Sequence, residues 1–81
     1  MSKLTNPEKK KSIRSRLARG EGQLRGVQRL IDEDADCEIV AQQLSAARKA
    51  LDKSFFAMVA CVIEQDEMSS KDIAAMLSKF A

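Results

Sequence analysis

Histidine is absent from this chain of 81 residues. With it go the commonest acid–base group at neutral pH and the imidazole ligands that nickel and cobalt sites favour. Cysteine occurs only at positions 37 and 61, too few for a disulfide framework. No glycine-rich phosphate loop and no motif-placed acid–base pair can be found, which argues against an enzyme. The aromatics are three phenylalanines, Phe55, Phe56 and Phe80. None lies among the basic residues, so base stacking on single strands or RNA is not expected. The start, "MSKLTNPEKKK", carries no apolar run, and no later segment is apolar enough to span a bilayer. These absences lead us to expect a cytoplasmic protein with reduced thiols, no cofactor and no membrane partner.

Helix signals fill what remains. The single proline, Pro7, follows Asn6 and precedes Glu8, an N-cap, a first helical position and an acidic first turn. Apolar residues then recur at helical spacing through Ile13, Leu17, Leu24, Val27, Leu30 and Ile31, predicting a helix over 7–32. A second helix over 37–65 starts at Asp36, with Asp34 as the rival cap. It carries Ile39, Val40, Leu44, Ala47, Leu51, Phe55, Met58, Val59, Val62 and Ile63. In a third, over 70–80, Ser69 and Asp72 read as a capping box, and Ile73, Met76, Leu77 and Phe80 form the apolar side. The chain therefore reads as one all-α domain over 1–81.

All three glycines, Gly20, Gly22 and Gly26, interrupt the first helix. Each costs roughly 1 kcal/mol relative to alanine in a helix interior. Placed near one face, they would let a neighbouring helix or DNA phosphates approach closely; the alternative is that they only loosen or kink the helix.

A domain this small buries only about 60% of the surface of its unfolded chain. With neither disulfides nor an evident metal, oligomerisation is the expected source of stability. The second helix, about 42 Å long at 1.5 Å per residue, is too long for a compact monomer of this size to cover, and "FFAMVACVI" is apolar nearly all round. Cys37 and Cys61 lie 24 residues apart, about 36 Å along one helix, so they cannot meet within a chain. If two copies cross antiparallel near Lys49, each Cys37 comes level with the partner's Cys61, as a two-fold pairing requires.

Charge is uneven. Residues 1–30 hold nine Lys/Arg and two Glu, whereas residues 31–81 hold five Lys/Arg and ten Asp/Glu. That split suggests a basic surface for a polyanion on an acidic body. Lys9, Lys10, Lys11, Arg14, Arg16, Arg19 and Arg25 are candidates for phosphate contacts, although a solvated tail would account for the three lysines equally well.

The run "RLARGEGQLRGVQRLIDEDADCEIVAQQLSAARKALD" resembles the CsoR/RcnR family of copper-sensing and nickel/cobalt-sensing repressors, which includes formaldehyde- and persulfide-sensing members. The likeness covers about Pro7 to Asp66 and rests on Arg-x-x-Gly-x-Gly-Gln, the Asp-Cys at the second helix and the "QL-A-R-AL" run. It implies a three-helix protomer, an antiparallel four-helix-bundle dimer and a disc-shaped tetramer of two dimers. It also implies binding of operator double-stranded DNA, with release when a small effector binds. The family's DNA-contacting arginines fall on Arg16, Arg19 and Arg48; a further one is Ala18 here, so that contact is missing.

Metal-sensing members place a cysteine, a histidine and then often a cysteine or histidine where this chain has Cys37, Val62 and Asp66. Valine cannot coordinate, and a thiolate with a carboxylate is a poor site for Cu(I), Ni(II) or Co(II). Cys37 is thus the only match to the family ligand set. Persulfide-sensing members place their second cysteine at the position of Asp66, and Cys61 lies five residues earlier. Formaldehyde-sensing members use an amine from the chain's start; here Ser2 stands where they have proline, although its amine could still serve. A helix N-terminus favours a reactive thiolate at Cys37, while Asp34, Asp36 and Glu38 oppose it. Cys61 reads as a second sensing thiol or as a small core residue. The leading expectation is a DNA-binding repressor with a thiol switch at Cys37. A metal-responsive repressor using Cys37, Cys61, Glu64 and Asp66 stays open, as does a structural helical oligomer.

Overall fold

The computed structural model describes residues 3–81, which form three helices. Helix α1 spans Pro7–Asp32, α2 spans Cys37–Asp66 and α3 spans Ser70–Ser78. The Ser2 amine lies outside the described residues. The starts follow the sequence signals. Asn6 Oδ1 accepts from the backbone N–H of Glu8 at 3.0 Å and of Lys9 at 3.1 Å. The Asp36 carboxylate accepts from Glu38 N–H at 3.3 Å, so Asp36 rather than Asp34 caps α2. Ser69 Oγ accepts from Asp72 N–H at 3.2 Å. The ends differ by a residue or two from expectation: α2 continues to Asp66, and α3 stops at Ser78, with Lys79 and Phe80 in a turn.

Asp34 does not cap because it reverses the chain. It adopts φ 58°, in the left-handed region. Its N–H donates to Ile31 O at 3.1 Å, and Ala35 N–H donates to Leu30 O at 3.0 Å. These two bonds make a Schellman ending, in which orphan carbonyls of α1 are satisfied. α2 ends similarly, with Glu67 at φ 47° and Met68 N–H donating to Ile63 O at 3.4 Å.

α1 and α2 pack as an antiparallel hairpin. Its seam is buried Ile13, Gly20 and Val27 on one helix against Ala47, Ser54 and Cys61 on the other. Both triads step by seven residues, the repeat that keeps one stripe facing a partner helix. Four of these six residues are small, so the backbones approach closely. A Cβ on Gly20 would lie 3.1 Å from Leu51 Cδ2. Gly22 and Gly26 have nothing within 4 Å of such a Cβ. The expectation that the three glycines share a face is therefore corrected. At about 100° per residue, Gly22 points away from Gly20. α1 nevertheless runs unbroken through all three, and no glycine has positive φ.

This seam is the whole core among the described residues, with no large side chain fully buried. The protomer exposes 6565 Å², against about 4,900 Å² for a folded monomer of this mass. Its radius of gyration is 16.2 Å and its extents are 48 × 28 × 15 Å, whereas a compact domain of this length has a radius of about 12 Å. α3 leans on α2 through Phe80, whose ring centroid lies 5.4 Å edge-on from that of Phe55. At the open end of the hairpin Lys9 pairs with Glu64. The hydrogen bond and charge of Glu64 raise the Lys9 pKa, and those of Lys9 lower that of Glu64. The pair therefore favours the folded state between the ordinary carboxylate and lysine ranges. It is lost as pH falls through the Glu64 pKa or rises through that of Lys9.

Two outcomes are expected from urea unfolding at fixed protein concentration. Gly22→Ala should raise stability by about 1 kcal/mol, and Gly20→Ala should return little of that gain; equal gains would remove the close approach at Leu51. Glu67→Gly should add about 1 kcal/mol by relieving a left-handed residue that carries a Cβ.

Candidate nucleic-acid interface and sensing thiols

The phase of each helix gives the hairpin two unlike flanks. With Ala47 and Ser54 turned to α1, steps of about 100° put Leu44, Leu51 and Phe55 to one side and Lys49 and Lys53 to the other. On the first flank Leu24 of α1 faces Ala41, Leu44, Ser45, Arg48 and Leu51 of α2 across an apolar groove of about 510 Å³. Leu17, Leu44 and Phe55 remain exposed in the protomer.

The second flank is a polar trough of about 690 Å³. Ser12, Ser15, Arg16, Arg19 and Gln23 of α1 form one wall, and Lys49 and Lys53 of α2 form the other, over Ala46 and Ala50. No acidic side chain lines it. Outside the trough, Lys9 pairs with Glu64 and Arg25 with Glu21 at 2.5 Å.

The structure thus brings Arg16 and Arg19 together and separates Arg48, which lies on the apolar flank. Within one protomer the three do not form a single site. Lys10, Lys11 and Arg14 are exposed outside both grooves. Lys49 and Lys53 do not stand out in the sequence. Their signal is an i,i+4 lysine pair over two alanines, hidden because the surrounding half of the chain is acidic overall.

The two thiols differ sharply. Cys37 is the first residue of α2 and is exposed, whereas Cys61 is buried in the seam with α1. Both lie on the one helix α2, about 36 Å apart along it, so they do not meet within a protomer. Val62 is half-buried and Asp66 exposed at the far end of α2. Among the described residues no three Cys, Asp or Glu side chains converge as a metal would require. No helix among the described residues is long and apolar enough to cross a membrane.

No solved structure matches the chain. A family model described as metal-sensitive transcriptional repressor matches residues 9–79. That span takes in the whole seam, both grooves and both cysteines, and on it the chain belongs to the CsoR/RcnR family of metal-sensitive transcriptional repressors.

Proposed function

We propose that the protein is a repressor that self-associates through its leucine-lined flank, binds operator DNA through its arginines, and releases it when the Cys37 thiol is modified by reactive sulfur or another electrophile. The observation that carries the thiol reading is the donor set. Cys37 stands exposed at the start of α2, and the family's next two ligand positions hold Val62 and Asp66. A valine supplies no donor, so the residues present do not fit the family's metal site. A thiol at Cys37 needs no second ligand to react. With a small persulfide, its thiolate attacks the outer sulfur, displaces the small thiolate and leaves a persulfide on Cys37. With formaldehyde, the thiol adds across the carbonyl to give a hydroxymethyl thioether. Burial of Cys61 beside α1 favours a packing role for it.

The family's metal-sensitive members favour a second reading, a metal response through Cys37, Cys61, Glu64 and Asp66. Against it, Lys9 already engages Glu64 and Cys61 is buried. Alkylating the cysteines abolishes either response, whereas a chelator abolishes only the metal one.

Self-association is supported by the exposed surface of the protomer and by the apolar flank, and the tetramer implied by the resemblance belongs to the same proposal. Leu44 is 50% exposed in the protomer, so Leu44→Asp should leave helicity intact while lowering the sedimenting mass toward that of one chain. An unchanged mass would remove this flank as the interface.

Cys37→Ala should bind operator DNA as the parent does and fail to release it on persulfide or formaldehyde treatment. Normal release by that variant ends the thiol reading. Arg16→Ala should weaken DNA binding and flatten its salt dependence; unaltered binding would clear Arg16 of the role.

A further inference from the structure

We infer that the trough between α1 and α2 is a phosphate-binding channel for duplex DNA, in which Lys49 and Lys53 of α2 grip the backbone together with Arg16 and Arg19 of α1. The inference rests on the DNA-binding reading above and extends it to the second helix. Three features support it.

Charge comes first. The trough is lined by four cationic side chains and no carboxylate, and among the described residues none of these four forms an ion pair within the protomer. On α1 outside the trough, Lys9 and Arg25 each pair with a glutamate and Lys10, Lys11, Arg14 and Arg29 form no ion pair among the described residues; what sets the trough apart is that its cations stand on two helices. Uncompensated like charges on facing walls repel one another and favour a polyanion between them.

The second feature is donor chemistry. The hydroxyls of Ser12 and Ser15 and the Gln23 side-chain amide line the same wall as the arginines. Hydroxyls, amides, guanidinium and ammonium groups are the side-chain donors that contact phosphate oxygens and fix a protein's register on a duplex.

Length is the third. From Ser12 to Gln23 the α1 wall runs about 16 Å. A DNA strand carries one phosphate per about 3.4 Å of helix axis, so several consecutive phosphates fit along it. A free phosphate or pyrophosphate would fill only a part. No aromatic ring lines the trough, so it offers charge without the stacking platforms that hold single strands. Arg16 and Arg19 stand one turn apart on α1 and Lys49 and Lys53 one turn apart on α2. The backbone is therefore held from both helices, and its grip depends on the spacing of the hairpin.

The test uses the full-length protein and a random-sequence DNA duplex, because the non-specific electrostatic component of binding reads backbone contacts directly. The slope of log affinity against log salt should fall by about 0.9 for each phosphate that is no longer neutralised. Lys49→Gln/Lys53→Gln should lower it by about twice that for every protomer engaged, with Lys49→Arg/Lys53→Arg restoring it. Circular dichroism and sedimentation of the glutamine variant should match the parent. If Arg16→Ala lowers the slope and the double lysine variant does not, DNA is held by α1 alone and the channel is overturned. If neither changes it, the DNA-binding reading fails first. A lysine variant that changes assembly size would make the trough a contact between copies and overturn the proposal. So would pyrophosphate, titrated at constant ionic strength, that binds the parent and not the variant while the DNA slope stays unchanged.

Discussion

A hairpin of two helices has only one buried seam, and that limit governs this molecule. Each helix of α1 and α2 has a single neighbour along most of its length, so only one stripe of each is sheltered. The residues on those stripes are mostly small, and Gly20 against Leu51 brings the helices close enough that a Cβ would crowd the leucine. Small residues make a tight contact but bury little apolar surface, at about 25 cal/mol per Å². The protomer is thus closely mated along one line and under-buried everywhere else. Its excess surface follows from that, and the family to which it belongs implies that other copies supply the missing cover.

Because α2 is one continuous helix of 30 residues, its remaining faces cannot be independent. A step of about 100° per residue means that neighbours in sequence serve opposite flanks. Arg48 lines the leucine groove and Lys49 the basic trough; Leu51 faces the former and Lys53 the latter. The same short run, "ARKALDKS", therefore supplies the seam, the apolar flank and the charged wall together. On α1 the division is similar, with Leu24 on one side and Arg16, Arg19 and Gln23 on the other. Small side chains at Ala46, Ala47 and Ala50 let these functions share one turn or two without colliding.

Most of the fold was legible in the sequence, because its signals are local. Asn6–Pro7, Asp36 and Ser69 each mark a helix start through their own backbone bonds, whereas the apolar spacing marks only Ile13, Val27 and Ala47 of the six seam residues. The end of α2 was less legible, since its left-handed ending at Glu67 uses a residue that carries no glycine signature. The glycines suggest one face because their spacing in the sequence looks periodic while their helical phase is not. Arg16 and Arg19 were legible as a pair only through the resemblance, since charge alone offers seven cations. Their partners on α2 were not, because a trough is made by two helices at once and composition sees only one stretch at a time. The resemblance, likewise, groups Arg48 with Arg16 and Arg19, although within a protomer it stands on the other flank.

That placement of Arg48 bears on how a thiol could govern a DNA surface. Cys37 sits at one end of α2, and on the wheel it shares the side of Leu44, Leu51 and Phe55. An adduct there adds bulk and polarity to the flank proposed to meet a second copy, not to the trough itself. Whatever it changes must reach the trough through α2, whose other side carries Lys49 and Lys53. A rigid helix transmits a tilt along its full length. The trough has its two walls on the two helices, so a shift of α2 against α1 alters the spacing of its cations even though no cation is touched. On the proposed reading, then, the small-residue seam matters to the DNA surface because it sets the close approach of α1 and α2, and with it the spacing of the trough's two walls.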